Sequence, residues 1–243
     1  MVDSFVMAPA REAPAIRVGD VLNRSLGLFG ASWIPFVALS LIAFAPEFLL
    51  RWLITEPRSA GVVGGVVRLV CTSLADATII YGVVQMLRGR GFTIADSLNA
   101  GLARISAVIG VSLVVGILVG LGAILLIVPG VIVWCMYAVA IPVCVAERTG
   151  IGASLTRSAF LTKGNRWRIL GLFAVVLVVT LLIGAILGGL GVALGGVLFG
   201  TIVIYLLESA LGAYSAVMVG VLYHQLRVAR EGVDIEYIAA VFE

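Results

Sequence analysis

Charge is scarce in this chain of 243 residues: Asp, Glu, Lys and Arg supply 12% of it, against 62% hydrophobic residues and a mean hydropathy of +1.19. Soluble domains carry about 25% charged and about 45–50% apolar residues. Too little polar surface is available to cover a water-soluble domain of this length. Histidine occurs once, as His224, and lysine once, as Lys163. A single imidazole excludes multi-histidine metal sites and the HExxH arrangement. The three cysteines, Cys71, Cys135 and Cys144, lie inside apolar runs without CxxC spacing, so neither a disulfide framework nor a zinc site is expected. No GxSxG nucleophile turn and no GxxxxGK[ST] phosphate loop occur. A Ser/Lys pair would require Lys163, which belongs to a basic loop. The inventory points away from an enzyme and from any cofactor.

Apolar stretches are what the chain has in quantity. Roughly 20 apolar residues form one membrane-spanning helix, and six stretches qualify: about Ser32 to Leu53, Ala60 to Met86, Arg104 to Val128, Gly130 to Ala146, Trp167 to Leu190 and Gly196 to Leu226. The expected class is therefore all-α: a polytopic membrane protein with six transmembrane helices. Residues 1–16 read as a flexible, uncleaved N-terminal segment, 17–226 as the membrane domain and 227–243 as a cytoplasmic tail. Val128-Pro129-Gly130 is expected to turn the third span into the fourth. The uncharged glycine-rich run Gly188 to Gly196 joins the fifth to the sixth.

The net charge of +3 reflects basic residues placed in small groups between spans, which is a topology signal and not a nucleic-acid face. Thirteen of the sixteen fall on one side, only Arg51 and Arg58 on the other, and Arg68 lies within a span. The positive side is cytoplasmic, so both termini are expected there.

An internal repeat precedes alternate spans. Gly19-Asp-Val-Leu-Asn-Arg-Ser25, Ala95-Asp-Ser-Leu-Asn-Ala-Gly101 and Ala153-Ser-Leu-Thr-Arg-Ser158 align Leu22 with Leu98 and Leu155, and Asn23 with Asn99 and Thr156. Asp20, Asp96 and Ser154 are candidate helix N-caps. The chain thus divides into three units, each an amphipathic helix followed by a hairpin of two spans. Such helices lie in the headgroup layer. Their basic residues Arg24, Arg157, Lys163, Arg166 and Arg168 are candidate lipid-contacting groups, each worth about 1 kcal/mol beside anionic lipid.

Three features together resemble a known group. Leu121-Gly-Ala-Ile-Leu-Leu-Ile-Val-Pro-Gly130 is followed by Ala140-Ile-Pro-Val-Cys-Val-Ala-Glu147, then by Ala153 to Ser158 and Lys163-Gly-Asn-Arg-Trp-Arg168. The pattern is similar to that of the YciC-like bacterial membrane proteins and of the related membrane domain that some bacteria fuse to a glycerophosphodiester phosphodiesterase. The resemblance covers residues 17–226 in outline and about 50 of them specifically. The resemblance implies the multi-span fold and a bacterial inner-membrane setting. It implies no hydrolysis, because that enzyme class works with paired histidines and acidic metal ligands.

Ionisable residues inside spans are costly and mark functional candidates. Arg68 and Asp76 lie in the second span and Glu208 in the sixth, with Thr72, Ser73, Thr78 and Ser209 as possible hydrogen-bond partners. Either Arg68 forms a neutralised pair with Glu208 or Asp76 that fixes helix register, or the three line a polar cavity for an ion, a proton or an anionic headgroup. Glu47 and Arg51 read as an i,i+4 interfacial pair, Glu147 with Arg148 as a boundary marker, and His224 as an interfacial polar residue. Small-xxx-small pairs such as Gly61/Gly65, Gly116/Gly120, Gly184/Gly188 and Gly191/Gly195 are expected to bring helices close. Two function classes follow. The first is a non-enzymatic protein that organises lipids or binds membrane partners, itself included, through its basic interfacial helices. The second is a small transporter for an ion or anionic solute using Arg68, Asp76 and Glu208.

Overall fold

The computed structural model describes residues 16–53 and 57–231, all-α, with no strand among them. The helices are α1 (Val18–Ala31), α2 (Trp33–Leu53), α3 (Pro57–Leu87), α4 (Ile94–Leu125), α5 (Ile127–Met136), α6 (Ala140–Ala146), α7 (Ile151–Thr162) and α8 (Arg166–Glu231). Five stretches are long and apolar enough to cross a membrane: Trp33–Leu50, Val63–Leu87, Ile94–Leu125, Ile127–Ala146 and Arg166–Glu231. The chain is a multi-pass helical membrane protein. Helices suit that setting because each satisfies its own backbone groups where no water can. The expected N-terminal segment lies outside the described residues apart from Ile16. Helix continues through Glu231, so the segment expected as a tail begins as part of α8.

The 66 residues of α8 are two helices that meet at Gly196, whose φ of 73° and ψ of −172° only glycine adopts readily. The limbs before and after it run side by side. A Cβ on Gly191 would lie 3.2 Å from Val203 and 3.3 Å from Gly200, and one on Gly188 would lie 3.3 Å from Ile204. Close backbone approach of this kind replaces the hydrophobic driving force that lipid removes. By contrast Gly61, Gly65, Gly116 and Gly120 have open space around the Cβ position, so those two small-residue pairs do not carry the packing, and in the Gly184/Gly188 pair only Gly188 is closely packed.

The turn between α4 and α5 falls at Leu126, which is extended (φ −165°, ψ 144°), and not at Val128-Pro129-Gly130. Pro129 sits in the first turn of α5, where its missing N–H has no intrahelical partner to lose. Gly122 and Gly130 hold this hairpin shut: a Cβ on Gly130 would stand 2.8 Å from the Ala123 backbone nitrogen.

Two of the three amphipathic segments are separate helices. Ser32 (φ −144°, ψ 40°) parts α1 from α2, and a turn at 163–165 parts α7 from α8. The middle one is continuous with its span, forming the first turns of α4. Capping also differs from expectation. Thr93 caps α4, accepting from the Asp96 N–H at 3.1 Å while its hydroxyl donates to the Asp96 carboxylate at 2.6 Å. Asp20 lies inside α1, and Ser154 is an interior residue of α7 that donates to the Gly150 carbonyl. All three segments bury the same two aligned positions: Val21 and Ser25, Ser97 and Gly101, Ser154 and Ser158.

The core runs between α3 and the second limb of α8, where Ile79 and Val83 join Met218, Val221, Leu222 and Leu226, with Phe36 and Leu39 from α2. Gly220 meets Val83 closely. Large apolar residues such as Leu125, Leu177, Leu182 and Leu194 face outward, as a lipid-facing surface requires.

Candidate functional site

Arg68, Thr72 and Asp76 are spaced four residues apart and so form a ladder on one face of α3. Glu208 and Ser215, seven residues apart, share a face of the second limb of α8. The structure brings Arg68, Asp76 and Glu208 to the wall of one cavity of about 660 Å³, completed by Thr72, Thr180 and Gly184 among others.

Their pairing is different. Arg68 donates to the Glu47 carboxylate at 3.1 Å, so its partner sits on α2. Glu47 is buried, with 9% of its surface exposed. The side chain of Arg51, expected to pair with Glu47, is outside the described set. The hydroxyls that might have reached Asp76 are engaged elsewhere. Thr72 donates to the Arg68 carbonyl (2.8 Å), Ser73 to Ser112 (3.2 Å), Thr78 to the Leu74 carbonyl (2.9 Å) and Ser209 to the Tyr205 carbonyl (2.8 Å).

Asp76 accordingly accepts no hydrogen bond among the described residues. It lies 13 residues past Val63 and 11 before Leu87, near the middle of its span. It also faces a second, half-open cavity of about 430 Å³, on the side of α4, α5 and α6. Asp76 and Ser215 line both cavities and therefore form their shared wall.

No family model, curated protein or solved structure matches the chain. Function must be read from the geometry alone. No group of three or more potential metal-binding side chains occurs among the described residues. The three cysteines are free and buried.

A second polar cluster ties α6, α7 and the end of α8 together. Glu147 accepts from the Tyr223 hydroxyl at 2.8 Å and from Arg157 Nε at 3.1 Å and 3.2 Å. Arg157 also pairs with Glu231, which accepts from Arg227 Nε at 3.0 Å. Burial pushes the Glu231 carboxyl up, but hydrogen bonds and charge from Arg227 and Arg157 outweigh it and hold the group below the ordinary glutamate range. Burial likewise disfavours charge on Arg157, and its bonds to Glu231 and Glu147 reverse that, raising its pKa. Glu147 is thus a structural junction and more than a boundary marker.

The five basic residues expected at the headgroup layer separate into different roles. Arg157 is committed to Glu147 and Glu231. Arg168 is exposed yet donates to the Ile16 carbonyl at 2.9 Å. Lys163 and Arg24 are exposed, and Arg166 is half-buried. Neighbouring Trp167 is 81% exposed. His224, expected at an interface, is buried in the core. Sequence reasoning missed the roles of Tyr223, Arg227 and Glu231, although their spacing of four was a sign that they share one helix face.

Proposed function

We propose that this chain is a non-enzymatic cation-binding transporter whose binding group is the Asp76 carboxylate. The observation that carries the reading is the position of Asp76: mid-span, without a hydrogen-bond donor among the described residues, on the wall between two cavities. An isolated ionised carboxylate in that setting bears a large desolvation cost, which a bound proton or cation offsets. Arg68 does not serve as a free anion site, because Glu47 takes up its charge. The balance of groups therefore favours a cation over the anionic solute that Arg68 alone would have suggested.

The membrane frame proposed with it has six spans, the Gly196 hairpin dividing α8 into the fifth and sixth, in a bacterial inner membrane with both termini cytoplasmic. The weight of basic residues at the α1 and α7 end supports that orientation. A kinship with the YciC-like proteins is part of the same proposal, resting on residues 121–168. Exposed Lys163 and Trp167 support a lesser role for lipid contact at that end, because aromatic and basic residues favour the membrane interface.

Purified protein in liposomes, loaded with a pH-sensitive dye and challenged with proton or sodium gradients, tests the reading. Flux is expected in the native protein and in Asp76→Glu, and loss of it in Asp76→Asn. Flux unchanged in Asp76→Asn overturns it.

A further inference from the structure

The second cavity is more specific than a path for small ions. Besides Asp76 and the hydroxyl-bearing Ser112 and Ser215, its wall holds Trp134, Tyr137 and Phe173. Trp134 from α5 and Phe173 from the first limb of α8 stand with ring centroids 4.5 Å apart at 48°, forming an angled aromatic corner. The rest of the wall is apolar, with Ile80 and Val119 among its residues. A volume of about 430 Å³ lies within the range of about 300–1,000 Å³ typical of small-molecule sites.

We infer that this cavity binds an organic cation, its ammonium group beside Asp76 and its apolar body against Trp134, Tyr137 and Phe173. The inference rests on the reading of Asp76 as a cation-binding group and narrows it to a ligand class. Aromatic faces carry negative charge density and attract ammonium groups, tryptophan most strongly. A carboxylate with no protein donor needs a counter-charge, and an alkylated ammonium is cheaper to desolvate than a hydrated metal ion. The larger cavity lacks this aromatic character: Phe44 is its one aromatic lining residue. Asp76 lines both cavities, so the same carboxylate faces a ligand on the aromatic side and an ion on the other.

The test uses the full chain in lipid nanodiscs with benzyltrimethylammonium as probe and neopentylbenzene, its uncharged carbon counterpart, as control. Calorimetric titration is expected to show saturable binding of the cation and at least tenfold weaker binding of the neutral compound. Asp76→Asn is expected to abolish binding and Asp76→Glu to retain it. Trp134→Leu is expected to weaken it about tenfold. Gly116→Leu supplies an independent variant: Gly116 lines this cavity and has nothing within 4 Å of its Cβ position, so a larger side chain is added there without a clash at its root. It is expected to weaken binding of the organic cation at least tenfold. Flux that depends on Asp76 without binding of benzyltrimethylammonium overturns the organic-cation site alone. Binding unchanged in Asp76→Asn or in Gly116→Leu, or equal binding of neopentylbenzene, also overturns it. Absence of both flux and binding overturns the organic-cation site and the transporter reading together.

Discussion

Replacing Glu147 by alanine removes the junction that fastens α7 to the rest of the molecule. In the native state its carboxylate accepts from Tyr223 at 2.8 Å and from Arg157 at 3.1 Å and 3.2 Å. Tyr223 is 4% exposed, so its hydroxyl would be left buried without this acceptor, at a cost of about 1–3 kcal/mol. Arg157 keeps Glu231 and its side chain is 27% exposed, which limits its share to about 1 kcal/mol, as for a partly solvated ion pair. Together these give about 2–4 kcal/mol. Two anchors survive, because Ser158 and Thr162 both still donate to the Met136 carbonyl at 3.0 Å. The loss should therefore appear as local opening of α7 and not as global unfolding. At about 1.4 kcal/mol per factor of ten, amide hydrogen exchange across Ile151–Thr162 should speed up by about 30- to 700-fold. Mass spectrometry of the protein in nanodiscs measures this, with α3 peptides as the internal reference. Tyr223→Phe should remove most of the effect of a subsequent Glu147→Ala change. Exchange in α7 that stays within threefold of the native rate would refute the assignment of Glu147 as the fastening point.

Other expectations follow from the same geometry. Arg68→Met takes a cation from buried Glu47 and should lower stability by about 1–2 kcal/mol, a cost that the double change Arg68→Met, Glu47→Leu should largely restore, read by thermal unfolding in detergent. Gly130→Ala forces a methyl to within 2.8 Å of the Ala123 backbone and should cost about 1–3 kcal/mol by splaying the α4–α5 hairpin, whereas Gly184→Ala, which meets open space, should be neutral in the same assay. The contribution of Glu231 to anchoring α7 is fully present above the ordinary glutamate range and is lost as pH falls through its lowered value. Exchange in α7 should accelerate on acidification below that range, and Glu231→Gln should abolish that acid step. A reporter fused at the C-terminus should be active only when it is a type that works in the cytoplasm.

The helical class and the run of spans were legible because hydropathy is a property of the chain itself, and lipid forces each apolar run to close its own hydrogen bonds. Turn positions were less legible. Pro129 marked the neighbourhood of a turn, but a first-turn proline is compatible with helix, and the break moved to Leu126. The middle amphipathic segment gave no sign that it fuses with its span, because nothing between Ile94 and Leu125 interrupts a helix. Convergence of Arg68, Asp76 and Glu208 followed from depth along the helices. The partner of Arg68 did not, because it depends on which helix stands beside α3, and α2 supplied Glu47. The aromatic lining of the second cavity was similarly hidden, since Trp134, Tyr137 and Phe173 come from separate elements.

The hairpin that turns at Gly196 contains no charged residue from Ile169 to Leu207. Its two limbs can enter the bilayer already folded against each other, because no ion has to be carried across the hydrocarbon and the tip itself is apolar. Insertion of this pair up to Leu207 costs no charge transfer, and the first acidic side chain to follow is Glu208, on the wall of the larger cavity. Because Phe173 lies on the first limb and Ser215 on the second, docking of this pair against α3 completes the walls around Asp76.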